Sequence, residues 1–380
     1  MSNQLDVIIP QILARGLATL RENIVMPFLV NRGYQAEAAQ RGDTVTIPVP
    51  SAMSAVDVTA SALPGDPTDF VTPSSVTIPL DKWKKSDFSL TDKDLVEIQE
   101  GYLPLQAEEA VKALANQVDS DLLGMASGFY GFSAELGQPL AQMSDLVEAR
   151  KVLNQQLAPM DPRYIVVGPQ GEAEMLGIQA FHDASFGVGG EAILEGRIVR
   201  RLGFGIAMDQ NVDDLAQGDM TNATVSGEGT SLVLDVVSGV APSVGDIVEI
   251  ASQAGTFVIT SINAGSTAIE VAPAIAGTID SGTPASLTYP TNAPAGTTYE
   301  GRMAFHRDAM AFVTRPLSAG AEGLGTVVRS ISDPESRLTL RLEISRENKQ
   351  TRWCWDILYG FALIRRELGV RMGGTDPSTL

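Results

Sequence analysis

The chain has 380 residues, with 46 acids against 27 bases and a formal net charge of −19. At roughly 100–200 residues per domain this length suggests two or three folded units, and so much negative charge repels phosphate backbones and anionic lipid, which excludes nucleic-acid binding by charge. The single cysteine, Cys354, excludes an internal disulfide framework and a cysteine-ligated zinc or Fe–S centre, and no apolar run approaches the ~18 residues of a membrane span.

The N-terminus, MSNQLDVIIPQILARGL, has Asp6 early, Pro10 inside the apolar stretch and no A-x-A pattern. It fails as a secretory signal, so a chain that stays in the cytoplasm when made is expected. Leu5, Ile8, Ile9, Ile12, Leu13, Leu17 and Leu20 fall at helical spacing and predict an amphipathic arm, Pro10 notwithstanding. Next, Val45-Thr46-Ile47-Pro48 and Val76-Thr77-Ile78-Pro79 repeat one tetrapeptide in two alternating runs, which predicts the two strands of one long hairpin. Prolines at 48, 50 and 79 cannot donate to a central ladder, so these strands lie at an edge or stand away from the body. A long connection, Ser51–Ser75, is uncommon in a compact domain unless it has a binding task.

Ala107, Val111, Leu114, Val118, Leu122 and Met125 line one face of a helix of about 25 residues, the expected spine of the fold. A second helix is predicted over Ser144–Leu157, then the buried-type strand RYIVVG, then a helix in PQGEAEML with Pro169 near its first turn. From Gly203 to Glu300 there are 11 acids and no Lys or Arg, and a separately folded insert at about 218–298 is the simplest explanation. Its short runs SLVLDVV, DIVEIA, TFVITSI and TAIEVAP predict a small all-β barrel or sandwich. The flanks GDMTNATVSGEG and GTIDSGTPASLTYPTNAPAGT have the composition of linkers or long loops. Beyond them FVTRPL, SRLTLRLEIS and TRWCWDILYGFALI are strand-like. The expected body is α+β with an all-β insertion.

Several motifs suggest chemistry, and none has the context it needs. Phe305-His306-Arg307-Asp308 contains the tripeptide of the kinase catalytic loop, but Val313 stands where the magnesium-binding asparagine belongs, and no D-F-G accompanies it. The plainer reading of FHRDAMAFV is an alternating strand returning from the insert. Gly187-Val188-Gly189-Gly190-Glu191-Ala192 fits a dinucleotide fingerprint, but no buried strand precedes it. His182 with Asp183, and His306 with Asp308, lack a G-x-S-x-G partner, and triads are built from residues distant along the chain. Glu108, Glu109, Asp119 and Asp121 lie on the spine helix, where a solvated face is the default. Asp213, Asp214 and Asp219 lack the calcium-loop pattern. No catalytic, cofactor-binding or metal-ligating residue is assigned.

The order of arm, hairpin, spine YLPLQAEEAVKALANQVDSDLLGMA, turn YIVVGPQGEAEML, insert, return MAFHRDAMAFVTRPL and close YGFALIRRELGVRM resembles the major capsid proteins of tailed double-stranded DNA bacteriophages. Within that family the sequence is most similar to the coat proteins of short-tailed Salmonella-type phages, which carry an inserted β-barrel; an insert of about 80 residues is shorter than theirs. The resemblance implies a Hong Kong 97-like fold divided into an N-terminal arm (1–40), an extended hairpin loop (41–90), a peripheral domain with the spine helix (91–139), an axial domain (140–217 and 299–330), the inserted barrel (218–298) and C-terminal peripheral strands (331–380). It also implies a non-enzymatic protein that forms homo-pentamers and homo-hexamers of an icosahedral shell around DNA bound without sequence specificity. Its implied partners are a scaffolding protein and a portal protein, with no membrane and no cofactor, and its implied location is the virion, after assembly in the host cytoplasm. An encapsulin-like compartment shell would share the fold and enclose cargo enzymes. A β-rich adhesin or binding module would account for the insert but predicts an export signal.

Overall fold

A computed structural model describes residues 5–34, 44–50, 74–91, 102–133, 139–140, 142–179, 200–216, 218–220, 223–235, 241–265, 267–287, 298–317, 326–333 and 337–374. The chain is mixed α+β and divides into two compact units. The first comprises Met1–Leu17, Arg32–Ala110 and Ala311–Ile364; the second comprises Ala18–Asn31, Val111–Met310 and Arg365–Leu380. The N-terminal segment forms helix α1 (Leu5–Asn23) despite Pro10, followed by the short α2 (Met26–Leu29).

In the first unit the repeated tetrapeptide forms β1 (Thr44–Val49) and β2 (Ser74–Pro79), paired antiparallel with Val45 opposite Ile78, Thr46 opposite Thr77 and Ile47 opposite Val76. Each strand of a two-stranded sheet has an unpaired edge, where Pro48 and Pro79 lose nothing by lacking an N–H. The hairpin's apolar side, Val45, Ile47, Ile78 and Leu80, packs on Ala311 and Val313. Residues 51–73, most of the long connection, lie outside the described residues.

The main sheet of this unit contains β3 (Lys82–Thr91), β15 (Met310–Thr314), β16 (Val327–Ser332), β17 (Thr339–Glu347) and β18 (Gln350–Leu363). Its order is β15-β18-β17-β16, and β3 pairs along the other edge of β18. Alternation gives it two unlike faces. Leu340, Leu342, Ile344, Trp353, Trp355 and Ile357 are buried on one side, and charged residues occupy the other. Asn348 and Lys349, both at positive φ, make the two-residue turn joining β17 to β18, the geometry that matches the twist of a tight hairpin.

In the second unit a mixed six-stranded sheet has the order β4 (Gly131–Ser133), β19 (Gly369–Met372), β14 (Met303–His306), β5 (Arg163–Val167), β7 (Phe204–Met208), β6 (Arg200–Arg201). Ile165, Val166, Val167, Met303, Ala304 and Phe305 are all buried, because the central strands are covered on both faces and read as continuous apolar runs. Helix α3 (Tyr102–Leu123), whose residues up to Ala110 belong to the first unit and the rest to the second, continues into a 3₁₀ turn over Gly124–Gly128, and its expected stripe from Ala107 to Met125 is buried throughout. Helix α4 (Met143–Gln155) opens on a reciprocal cap between Gln142 and Asp145 and buries Leu146, Ala149 and Leu153. Helix α5 (Pro169–Gly177) places Pro169 in its first turn, where its fixed φ suits the helix.

The acidic stretch contains a four-stranded antiparallel sheet of β9 (Thr224–Leu234), β10 (Ile247–Ile250), β11 (Thr256–Ile262) and β12 (Ala268–Leu287), with a hydrophobic cluster of its own that includes Val225, Leu232, Ile250, Ile259, Val271 and Ile279. Strand β10 pairs with β11 on one edge and with the end of β12 on the other, while the start of β12 pairs with β11. The expectation of linkers at both flanks is corrected here. Thr224–Gly229 and Gly277–Leu287 are strand, and Gly227, Gly229, Gly277 and Gly282 sit at positive φ where the β9–β12 register shifts. Their glycines bend long strands instead of breaking them. The FHRD segment also departs from expectation, because β14 and β15 are two buried strands separated by a 3₁₀ turn at Arg307–Ala309.

A Cβ on Gly360 of β18 would run into the main-chain carbonyl of Pro79, whereas one on Gly124 meets open space. Gly360→Ala is expected to destabilise by about 1–3 kcal/mol through overpacking, seen as an earlier urea midpoint, while Gly124→Ala leaves the midpoint unchanged or slightly later.

Candidate functional site

The FHRD tripeptide serves the fold. His306 is buried, its Nδ1 accepts the Asp308 main-chain N–H at 3.2 Å, and its Nε2 lies 3.4 Å from the Asp161 carbonyl. Asp308 takes the Asn31 side-chain amide at 2.6 Å, and Arg307 Nε donates to the Val30 carbonyl at 3.3 Å. These contacts fasten the end of α2 to the β14–β15 corner. No second carboxylate orients the imidazole, and no nucleophile stands beside it among the described residues. Asp213 accepts from Ser120 Oγ at 3.3 Å while Asp219 forms a β-bridge with Ala241. No three His, Cys, Asp or Glu side chains gather as a metal-binding group among the described residues. His182, Asp183 and the glycine run 187–192 lie outside the described residues.

The second unit buries a charged network that nothing in the sequence singled out. Glu300, at the end of β13 (Thr298–Glu300), accepts main-chain N–H groups of Gln170 at 3.2 Å and Gly171 at 2.9 Å, so its carboxylate caps α5 where the helix dipole favours negative charge. Arg302, 0% exposed, donates to Glu300 and to Glu174, each at 2.6 Å. Glu174 also takes the Leu140 N–H at 2.9 Å. Gly168, Gly171 and Gly374 make room for it, since a Cβ at any of them would strike Glu300 or the Arg302 guanidinium.

Asp119 reverses the expectation of a solvated helix face. It is 0% exposed and accepts main-chain N–H groups of Val25 at 2.9 Å and Met26 at 3.0 Å. Burial, reinforced by the neighbouring Asp209 carboxyl, pushes its pKa up to about 8. Of the other spine acids, Glu108 pairs with Arg15 and Asp121 takes the Gln117 amide at 3.0 Å.

Two surfaces stand out. On the polar face of the first unit's sheet, Asp356 takes Arg341 Nε at 2.8 Å and Trp83 Nε1 at 3.0 Å, Arg352 pairs with Asp87, and Trp83 is 62% exposed. A shallow groove of about 460 Å³ runs over Trp83, Arg341, Glu343 and Cys354. Burial raises the pKa of the half-buried Cys354 thiol, and Asp356 and Asp87 add to the effect, which keeps the sulfur protonated and a poor nucleophile. In the second unit, the turn after α4 holds out Leu157, 89% exposed at positive φ, and Met160, 61% exposed. The buried Arg163 guanidinium fixes that turn by donating to the Pro159 and Ala158 carbonyls, each at 2.6 Å. Two large apolar side chains thus stand exposed on a turn where Leu157 holds a strained backbone conformation. Chemically the described residues offer packing surfaces and no convergent reactive group.

No protein-family model matches the chain, and no curated protein is recognisably related to it. Among solved structures, the chain is similar to one from Mycobacterium phage Che8, at 17% identity over 92% of this chain and 91% of that one with a TM-score of 0.52. It is also similar to a chain of the capsid of the Cyanophage P-SCSP1u, at 11% identity over 93% and 88% with a TM-score of 0.50. The chain therefore has the fold of phage capsid proteins.

Arg302→Ala leaves two buried carboxylates without their cation and is expected to cost about 3–5 kcal/mol. Urea unfolding followed by tryptophan fluorescence measures the loss, and adding Glu174→Gln to Arg302→Ala should recover part of it.

Proposed function

We propose that the chain is the major capsid protein of a tailed double-stranded DNA bacteriophage, a structural and non-enzymatic protein that assembles with itself into the pentamers and hexamers of an icosahedral procapsid and capsid. The observation that carries this reading is the likeness of fold along nearly the whole chain to a phage capsid chain, so that shell-building accounts for more than one domain of it. The β1–β2 hairpin is read as the base of an extended loop, α3 as the spine of the peripheral domain, the six-stranded sheet as the axial domain and the β9–β12 sheet as the inserted barrel. Scaffolding and portal proteins are the partners this role requires. A net charge of −19 suits a shell that holds DNA without binding it in a sequence-specific way, since like charge keeps the lining from gripping the backbone. The place of action is the virion, reached through assembly in the host cytoplasm.

Within that reading the Leu157–Met160 turn is a contact between subunits, because exposed apolar anchors on a preorganised loop are what an interface core uses.

Negative-stain microscopy of the full chain, expressed with and without its neighbouring genes, tests the proposal. Closed shells are expected in at least one condition, and uniform monomers in all of them would sink it; shells filled with a co-purifying enzyme would favour the encapsulin-like compartment instead. The double variant Leu157→Ser, Met160→Ser should stay soluble and folded by circular dichroism yet lower particle yield by ~10-fold or more; normal yield would remove the turn from the interface.

A further inference from the structure

The carboxyl groups of Asp119 and Asp209 lie within hydrogen-bonding reach of each other, although both residues are buried. Amide N–H groups reach three of their four oxygens. Asp119 Oδ2 receives the Val25 N–H and Oδ1 the Met26 N–H, which tie the α1–α2 junction to α3. Asp209 Oδ1 receives both the main-chain N–H of Asn211 at 2.8 Å and its side-chain amide at 2.9 Å. Asp209 Oδ2 is buried and has no protein donor. Among the described residues no Lys, Arg or His reaches either carboxyl. The groups facing Asp119 are the Asp209 carboxyl after β7 and two uncharged main-chain amides from the α1–α2 junction.

Two ionised carboxylates in contact, desolvated and without a cation, repel strongly, and one bound proton converts the same pair into a short hydrogen bond. Beside the junction lies a cavity of about 340 Å³ lined by Val25, Val167, Met175, Ile206 and Met208, with Glu172 as its charged member. The cavity leaves open space beside Val25.

We propose that Asp119 and Asp209 share a single proton, and that this proton is a latch holding the α1–α2 junction against α3 and releasing it as the solution turns alkaline. The sign follows from linkage. The unfolded chain gives up the Asp119 proton near the ordinary carboxylate value of 3.8, and the folded protein holds it until near 8. The stabilisation is thus fully present in acid and declines as pH rises across that window. Asp209→Asn is the decisive substitution, because its Nδ2–H would stand where the shared proton stands and donate to a permanently ionised Asp119, while its Oδ1 still accepts from Asn211.

The test follows thermal unfolding of the full-length wild type and of Asp209→Asn from about pH 5 to about pH 9, the span in which the linkage operates. The wild-type midpoint is expected to fall relative to that of Asp209→Asn by roughly 5–10 °C across this range. Parallel curves would overturn the proposal. Infrared spectroscopy of the folded wild type gives a second reading that does not depend on any variant being stable. A protonated-carboxyl band should be present in mild acid and titrate away with a midpoint near 8. Its absence, or its persistence unchanged in both Asp209→Asn and Asp119→Asn when these fold, would equally defeat the latch.

Discussion

A guanidinium sealed from water must be answered by carboxylates, and the second unit is arranged to meet that demand at Arg302. Its charge is held between Glu300 and Glu174, and those two acids are in turn committed to the first turn of α5 and to the Leu140 N–H. A buried ion pair gains little over an apolar core of the same shape, but breaking one member of it is costly. The network therefore acts less as a source of stability than as a constraint on geometry. The return from the acidic stretch, the start of α5 and the segment at Gly373–Gly374 all meet at this network. The three glycines around it are explained by space, since each would place a Cβ inside the network.

Elements governed by local pattern were legible in the sequence. The α3 stripe, the matched Val-Thr-Ile-Pro strands and the alternating residues of β17 each announce their period; the α3 and β17 sets are buried as expected, and the two tetrapeptides pair as one hairpin. Glycine is poor punctuation in the acidic stretch. In β9 and β12 the positive-φ glycines are hinges within strands, and what marks those segments as strand is the burial of Val225, Ile275, Ile279 and Ala285, which no local window reveals among so many small residues.

The polar interior was not legible at all. Glu300, Arg302 and Glu174 are separated by up to 128 positions along the chain, and Asp119 and Asp209 by 90. A carboxylate on a helix opposite an apolar stripe is usually wet, and the main-chain amides that hold Asp119 in the interior, those of Val25 and Met26, come from a distant part of the chain. A signal did exist in hindsight: Asp119 directly follows Val118 on the stripe and lies one helical turn after Ala115, both buried. The exposed turn at Leu157 and Met160 was equally hidden, since an apolar residue near a helix end reads as core until its surroundings are known.

The run from Gly203 to Glu300 without a lysine or arginine was useful first as a mark of composition, but it also governs how the molecule can be cut. Trypsin needs a basic side chain, so from the peptide bond after Arg201 to the one after Arg302 it finds nothing to cleave, and the whole β9–β12 sheet leaves the chain as one fragment or stays in it. The far end of that fragment is the fully buried Arg302. Release of the Leu202–Arg302 fragment therefore times the opening of the interior around Glu300 and Glu174, and makes the protease a clock for the event that unlocks the fold.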